Sequence, residues 1–282
     1  MISIQTKQFA QLYSEFNDPN GRIMVVAHRG DWLDAPENTL QSIENAISLG
    51  VDMVEIDIQK TRDGKLILMH DETVERMTNG HGAIADLSYD ELLSMQVKQS
   101  QGGESAELTE AHIPTLEEVM MLVKERTFVN LDKCWDIRED VYDVLRKTGT
   151  INHGLFKSDA KVEEVVQFLD SKPIRPEYMH IIQPANAELL SDPDNLMMKI
   201  IPKAIEFIFE DEHHPYAVEE AFRMFTGKCR IWVNTMWDSL CAGHSDEKSY
   251  TNELDGWGWG IARRVNMIQT DSSRQLLDYL KK

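Results

Sequence analysis

Nine short β-rich runs separated by amphipathic helical patterns leave few folds open to this chain. The runs are "RIMVVAH", "VDMVEIDI", "KLILMH", "TFVNLD", "HGLFKS", "YMHIIQ", "AIEFIFE", "RIWVNT" and "VNMIQT". Residues 38–49, 115–126, 136–148, 159–171, 215–227 and 273–281 carry apolar side chains three and four apart, the spacing of one buried helical face. Such strand–helix alternation implies an α/β fold with a mostly parallel sheet. Nine strands are one more than a (β/α)8 barrel uses.

The surplus strand lies in "VEIDIQKTRDGKLILMHD", residues 54–71. Parallel neighbours need about a dozen connecting residues or more, and no such room exists here, so these two strands form an antiparallel hairpin. Asp63-Gly64 is the signal of a two-residue type I′ turn. That turn would face Arg62 with Lys65 and, counting back, set Asp57 opposite His70, with Glu55 on the same face. A three-residue turn with a bulge would shift the register by one. Removing the hairpin strand leaves eight, and the expected fold is a TIM (β/α)8 barrel with an antiparallel hairpin strand.

Two segments interrupt the repeat. Residues 71–114 hold turn signals and one helix at 88–96, and read as a small insertion after the hairpin. Residues 236–260 form a long, polar, Trp-rich connection. At 282 residues and 42% hydrophobic, the chain suits one domain over 1–282 with that insertion.

A net charge of −19 argues against nucleic acid or an anionic membrane surface as partner, because the long-range field repels both. No run is long enough to cross a bilayer, and the first residues lack the apolar core of a leader, so stable membrane insertion is not expected. Cys134, Cys229 and Cys241, odd in number and widely spaced, read as reduced thiols of a cytoplasmic protein. An exported chain whose leader had been removed would look the same.

Barrel enzymes place their chemistry at the C-terminal ends of the strands. "AHRGDW" brings His28 and Arg29 there, the hairpin brings Glu55, Asp57 and His70, and "VNLDKCW" adds Asp132 and Lys133. Three carboxylates in one pocket repel one another unless a cation or a shared proton lies between them. An all-oxygen set suits Mg²⁺ or Ca²⁺ better than zinc. Two histidines beside it are the arrangement for general acid–base chemistry. His81, His112, His153, His180, His213, His214 and His244 stand alone and read as ordinary core or surface histidines. Trp32, Trp135, Trp237, Trp257 and Trp259 fall just after strand ends or in the long connection. They read as packing over the barrel or, with Trp237 the candidate, as an aromatic wall able to hold a cationic alcohol such as choline.

The stretch "AHRGDWLDAPENTLQSIENAISLGVDMVEIDIQKTRDGKLILMHDETVERMTNGHG" resembles the N-terminal signature of the glycerophosphodiester phosphodiesterase family. HRG, PENT, ExD and HD followed by T-V-x-R-x-T-x-G-x-G occur in order over residues 27–82 without a gap. The resemblance implies a TIM barrel and metal-dependent hydrolysis of a small glycerophosphodiester to sn-glycerol 3-phosphate and an alcohol. Carried over by position, it makes His28 and His70 the catalytic pair, Glu55 and Asp57 ligands of one divalent cation, and Arg29 the phosphate contact; Asp132, standing where the family has a longer Glu, is the expected third ligand. PENT reads as a chain reversal into a helix, capped by Asn38 or Thr39, with Glu37 a lesser candidate for lining the site.

Two departures from the family pattern stand out. On strand four, "NLDKC" replaces N-x-E-x-K, so the phosphate-binding lysine falls to Lys157 on strand five, to Lys133 through a bulge, or to neither. Near the end, "VNMIQTDSS" lacks the usual proline. Phosphodiester hydrolysis requires removing something on the order of 20 kcal/mol of barrier, more than one device supplies. The glycerol 2-hydroxyl is the expected nucleophile, giving a cyclic phosphate, with direct attack by water as the rival. The alternatives are a related lipid phosphodiesterase or lyase of the sphingomyelinase D kind, and a phosphodiester-binding barrel without turnover.

Overall fold

The computed structural model describes residues 9–213 and 219–282. The first eight residues, His214 and the start of the helix expected over 215–227 fall outside them.

All nine expected strands are present. They are β1 (Met24–Ala27), β2 (Met53–Lys60), β3 (Leu66–Leu68), β4 (Phe128–Asp132), β5 (Gly154–Ser158), β6 (Glu177–Ile182), β7 (Ala204–Phe207), β8 (Arg230–Asn234) and β9 (Met267–Thr270). Their order is β1-β9-β8-β7-β6-β5-β4-β2-β3, with β1 also pairing with β2. Eight strands therefore follow one another as in a TIM barrel, and β3 is the extra one, antiparallel to β2.

The hairpin differs from the expected one in its turn. Ile58 pairs with Leu68 and Lys60 with Leu66, so the loop holds three residues, 62–64. Gly64 sits at φ +82° and its N–H donates to Thr61 O (2.9 Å), the geometry of a wider turn ending in a left-handed residue. The Thr61 hydroxyl secures it, donating to Asp63 Oδ1 (2.7 Å) and accepting from Lys65 N (2.9 Å). Met69 then falls opposite Asp57, to whose carbonyl it donates (3.0 Å). The expected pairing of Asp57 with His70 is thus wrong by one residue.

The described chain forms two compact units, residues 27–154 and residues 9–26 with 155–282. In the first, β2 and β4 run parallel, covered by helices Leu40–Leu49, Leu116–Val123 and Arg138–Thr148. Residues 71–114 carry a helix at Tyr89–Leu93, shorter than expected. Val74, Met77, Ile84, Leu92, Val97 and Ile113 of that segment pack into one apolar cluster with Ile67 and Met69.

In the second unit β5 to β9 run parallel with helices Val162–Asp170, Pro193–Ile200, Glu219–Phe225 and Ser273–Tyr279. The buried Arg230 guanidinium donates to the carbonyls of Glu15, Phe16 and Arg22, satisfying the end of helix Phe9–Phe16. The connection after β8 is organised by buried Asp246. It accepts from Thr235 Oγ1 (2.6 Å), Trp257 Nε1 (2.7 Å), Thr270 Oγ1 (2.7 Å) and Asp271 N (2.8 Å). Burial pushes its carboxyl above the ordinary range against the pull of those four donors. No described helix is long and apolar enough to cross a membrane.

Candidate active site

Strand register assembles the acidic set. Asp57 pairs directly with Asp132 across β2 and β4, and Glu55, two residues earlier, pairs with Asn130, so all three carboxylates share one face. One oxygen from each lies within 4.8 Å of the others, with Glu55 and Asp57 buried and Asp132 half-buried. This donor set of oxygens alone, too crowded for three bare charges, fits a hard divalent cation.

The residues after β1 close on the same carboxylates. Arg29 and Asn38 both adopt left-handed backbone (φ +56° and +55°), uncommon outside glycine and favoured where a turn must aim a side chain. Arg29 N donates to Glu55 Oε2 (3.0 Å), and Arg29 Nε lies 3.2 Å from Asp57 Oδ2. Gly30, at φ +83°, lets the chain pass so close to Ser42 that an added Cβ would come within 2.7 Å of Ser42 backbone. His28 Nε2 stands 3.9 Å from Glu55 Oε2. Burial opposes the Arg29 charge, but Asp57, Glu37 and Glu55 outweigh it and hold the guanidinium above its ordinary value.

The helix after PENT is capped by Thr39, which exchanges bonds with Ser42 in a capping box. Asn38 is instead a site residue: its Nδ2 donates to Asp57 Oδ2 (2.9 Å) and its Oδ1 accepts from Asp57 N (3.1 Å). Glu37 is fully buried and accepts from Arg29 Nη1 through both oxygens (3.2 and 3.1 Å).

His70 follows β3, partly exposed, with Nδ1 2.7 Å from Asp71 Oδ1. Arg76 grips the same carboxylate through Nε (2.7 Å) and Nη2 (3.0 Å), and Nη2 also donates to Glu37 Oε1 (2.6 Å). Burial pushes the Asp71 carboxyl up, but Arg76 and His70 prevail and pull it down to about 2. Lys133 leaves β4 at φ +55°, and its ammonium donates to the His70 carbonyl (2.5 Å).

The remaining candidates lie in the second unit. Lys157 Nζ is 3.5 Å from Glu206 Oε2, while Asn234 Nδ2 donates to Glu206 Oε1 (2.6 Å). Trp237 is 46% exposed, whereas Trp257 and Trp259 are buried, Trp259 stacked on His244 with centroids 4.0 Å apart. His153 Nε2 accepts from Glu125 N (2.9 Å), and His180 is buried beside Tyr178. Asp71 and Arg76 were not anticipated as site residues, although HD and the arginine of T-V-x-R both lie within the quoted signature.

Fold and site together define a TIM-barrel protein whose carboxylate set can hold a divalent cation beside a buried arginine and a histidine. The chain belongs to the glycerophosphoryl diester phosphodiesterase family, whose model matches residues 28–218. A second model, a domain of unknown function, matches residues 178–280. A glycerophosphodiester phosphodiesterase of Caldanaerobacter subterraneus subsp. tengcongensis is 40% identical over 112 residues, 39% of this chain and 45% of that relative. The match thus spans less than half of that protein.

Among solved structures, a glycerophosphoryl diester phosphodiesterase from Parabacteroides distasonis superposes with TM-score 0.77 at 20% identity, covering 98% of this chain and 93% of its own. An Oleispira antarctica phosphodiesterase in complex with the product sn-glycerol-3-phosphate superposes with TM-score 0.66 at 19% identity, covering 92% and 97%. At those identities the likeness is one of fold.

Proposed function

We propose that the protein hydrolyses glycerophosphodiesters to sn-glycerol 3-phosphate and an alcohol, with Glu55, Asp57 and Asp132 holding one Mg²⁺ or Ca²⁺ ion. The observation that carries the proposal is the convergence of these three carboxylates with Arg29 and His28. The product bound to the Oleispira relative supports the choice of substrate class. A divalent ion and Arg29 balance three carboxylates, so the pocket is near neutral before an anionic diester arrives. When bound, the ion supplies Lewis-acid stabilisation of charge growing on the phosphoryl oxygens.

The protein groups divide the rest of the chemistry. Arg29, fixed by Glu37 and Asp57, contributes a guanidinium of set plane to the phosphate. His28 and His70 form the acid–base pair, one taking the proton of the nucleophile as the other protonates the departing alkoxide. Asp71 accepts from Nδ1 of His70, which leaves Nε2 as the ring nitrogen for proton transfer. The nucleophile is the glycerol 2-hydroxyl, already positioned in the substrate, and water then opens the cyclic phosphate. Solvent ¹⁸O entering in one step, with no cyclic product in a slow variant, would favour direct attack by water.

Lys133 donates to the His70 carbonyl and Lys157 lies beside Glu206, whereas Arg29 lies directly against the metal-binding carboxylates Glu55 and Asp57, so Arg29 is the cation on which phosphate binding rests. Glycerophosphocholine, glycerophosphoethanolamine and glycerophosphoglycerol, assayed with and without EDTA, test the proposal. Release of glycerol 3-phosphate from at least one, lost with EDTA and restored by Mg²⁺ or Ca²⁺, is expected; release from none contradicts it.

A further inference from the structure

The contacts around Glu37 form a continuous chain from one end of the site to the other. His70 Nδ1 meets Asp71, Asp71 meets the Arg76 fork, Arg76 Nη2 meets Glu37 Oε1 at 2.6 Å, and the same oxygen meets Arg29 Nη1 at 3.2 Å. We propose that Glu37 and Arg76 are positioning residues that couple the tautomer of His70 to the plane of the Arg29 guanidinium. The inference rests on the phosphodiesterase reading for its catalytic consequence, though not for the coupling itself.

Three features favour this over a mere strut. Glu37 is fully buried and binds only the two arginines through its side chain among the bonds observed, so its charge is spent on orienting both of them. Arg76 uses each arm of its fork differently. Nε and Nη2 hold Asp71, Nη2 also holds Glu37, and Nη1 donates to Gln101 O (2.6 Å) and rests on Met77. The backbone repeats the link, since Glu37 N donates to Ser100 O and Gly103 N to Arg76 O, both at 2.8 Å. Residues 71–114 thereby hold the PENT loop and His70 in one frame. A lysine at position 76 would carry the charge but could not reproduce the planar fork that spans two carboxylates.

A neutral imidazole can carry its proton on either nitrogen, and only the Nδ1–H form leaves Nε2 able to accept. Asp71 selects that form, and Arg76 fixes the Asp71 oxygens that do so.

The test reads the tautomer directly. In the full chain labelled with ¹⁵N-histidine, long-range ¹H–¹⁵N spectra at pH 8 in EDTA should show His70, assigned by its loss in His70→Gln, as the Nδ1–H form. Arg76→Met is expected to mix the two tautomers, to lower kcat about tenfold or more and, by releasing Glu37, to raise KM several-fold through Arg29. Glu37→Gln should raise KM several-fold through Arg29 and also disturb the His70 signals. Arg76→Lys should restore the tautomer only in part. An unchanged His70 spectrum in Arg76→Met overturns the proposal. Where that variant does not fold, an unchanged spectrum and KM in Glu37→Gln overturn it equally. The spectra need no turnover, so a wild-type protein inactive on every diester would refute the functional reading and leave the coupling separately tested.

Discussion

Replacing Asp132 with Asn should stabilise the metal-free protein while weakening its response to metal. The ligand oxygens of Glu55, Asp57 and Asp132 lie within 4.8 Å of one another. At an effective dielectric of about 20, two unit charges at that distance repel by ~3.5 kcal/mol. Asp132→Asn removes two such pairs while keeping the side-chain volume, and Asp132 is the half-buried member, so water screens part of the sum. A net gain of about 3 kcal/mol is expected in EDTA, which for a chain of this size raises Tm by roughly 6 °C. Thermal unfolding followed by circular dichroism, in EDTA and in excess Mg²⁺ or Ca²⁺, measures both effects. The wild type should gain markedly from metal by mass action and the variant far less, narrowing or reversing their order. Equal melting in EDTA with an equal metal-induced rise in both proteins would refute the reasoning, because the carboxylates would then neither repel strongly nor share an ion.

Burial, opposed by the charge of Asp159, pulls His180 down to about 4, so the unfolded chain binds more protons below pH 6.5 and stability falls as pH drops from there toward 4. Between pH 7 and 5 that costs about 2 kcal/mol, and urea unfolding of His180→Gln should show a shallower pH dependence by that amount; parallel curves would refute it. Gly30→Ala forces a Cβ to within 2.7 Å of Ser42 at φ +83° and should lower Tm by several degrees, an unaltered Tm being the contrary outcome. If Trp237 walls the alcohol group, Trp237→Ala should lower kcat/KM for glycerophosphocholine up to about tenfold relative to glycerophosphoglycerol. Equal turnover of both substrates, unchanged in the variant, removes that role.

The strands were legible because each is a compact apolar run, and the parallel register that pairs Asp57 with Asp132 follows from where those runs lie. Helices that begin at proline or are short and polar were not. Pro184–Ser191, Pro193–Ile200 and Asp246–Thr251 lack the extended apolar stripe that periodicity detects. The hairpin register was missed by one because Asp63-Gly64 serves both a two-residue and a three-residue turn, and the Thr61 hydroxyl, through local bonds to Asp63 and Lys65, holds the longer. Asn38, expected as a helix cap, and Lys133, expected as a phosphate contact, make unanticipated contacts for a common reason. Both adopt left-handed backbone, which breaks the alternation that sequence counting assumes and turns the side chain elsewhere, Asn38 onto Asp57 and Lys133 onto the His70 carbonyl. Arg76 lies 47 residues beyond Arg29 in sequence, and only the fold of 71–114 brings both to one buried carboxylate.

The most direct test of the central claim is ³¹P NMR of a glycerophosphodiester panel incubated with the wild type, with the EDTA-treated wild type, and with Glu55→Gln and His70→Ala. Glycerol 3-phosphate should accumulate from at least one diester with the metal-loaded wild type alone. Residual activity in the other three samples should be at least a hundredfold lower. Undiminished release in EDTA, or in His70→Ala, would contradict a carboxylate-held ion and a histidine pair as the machinery of this site.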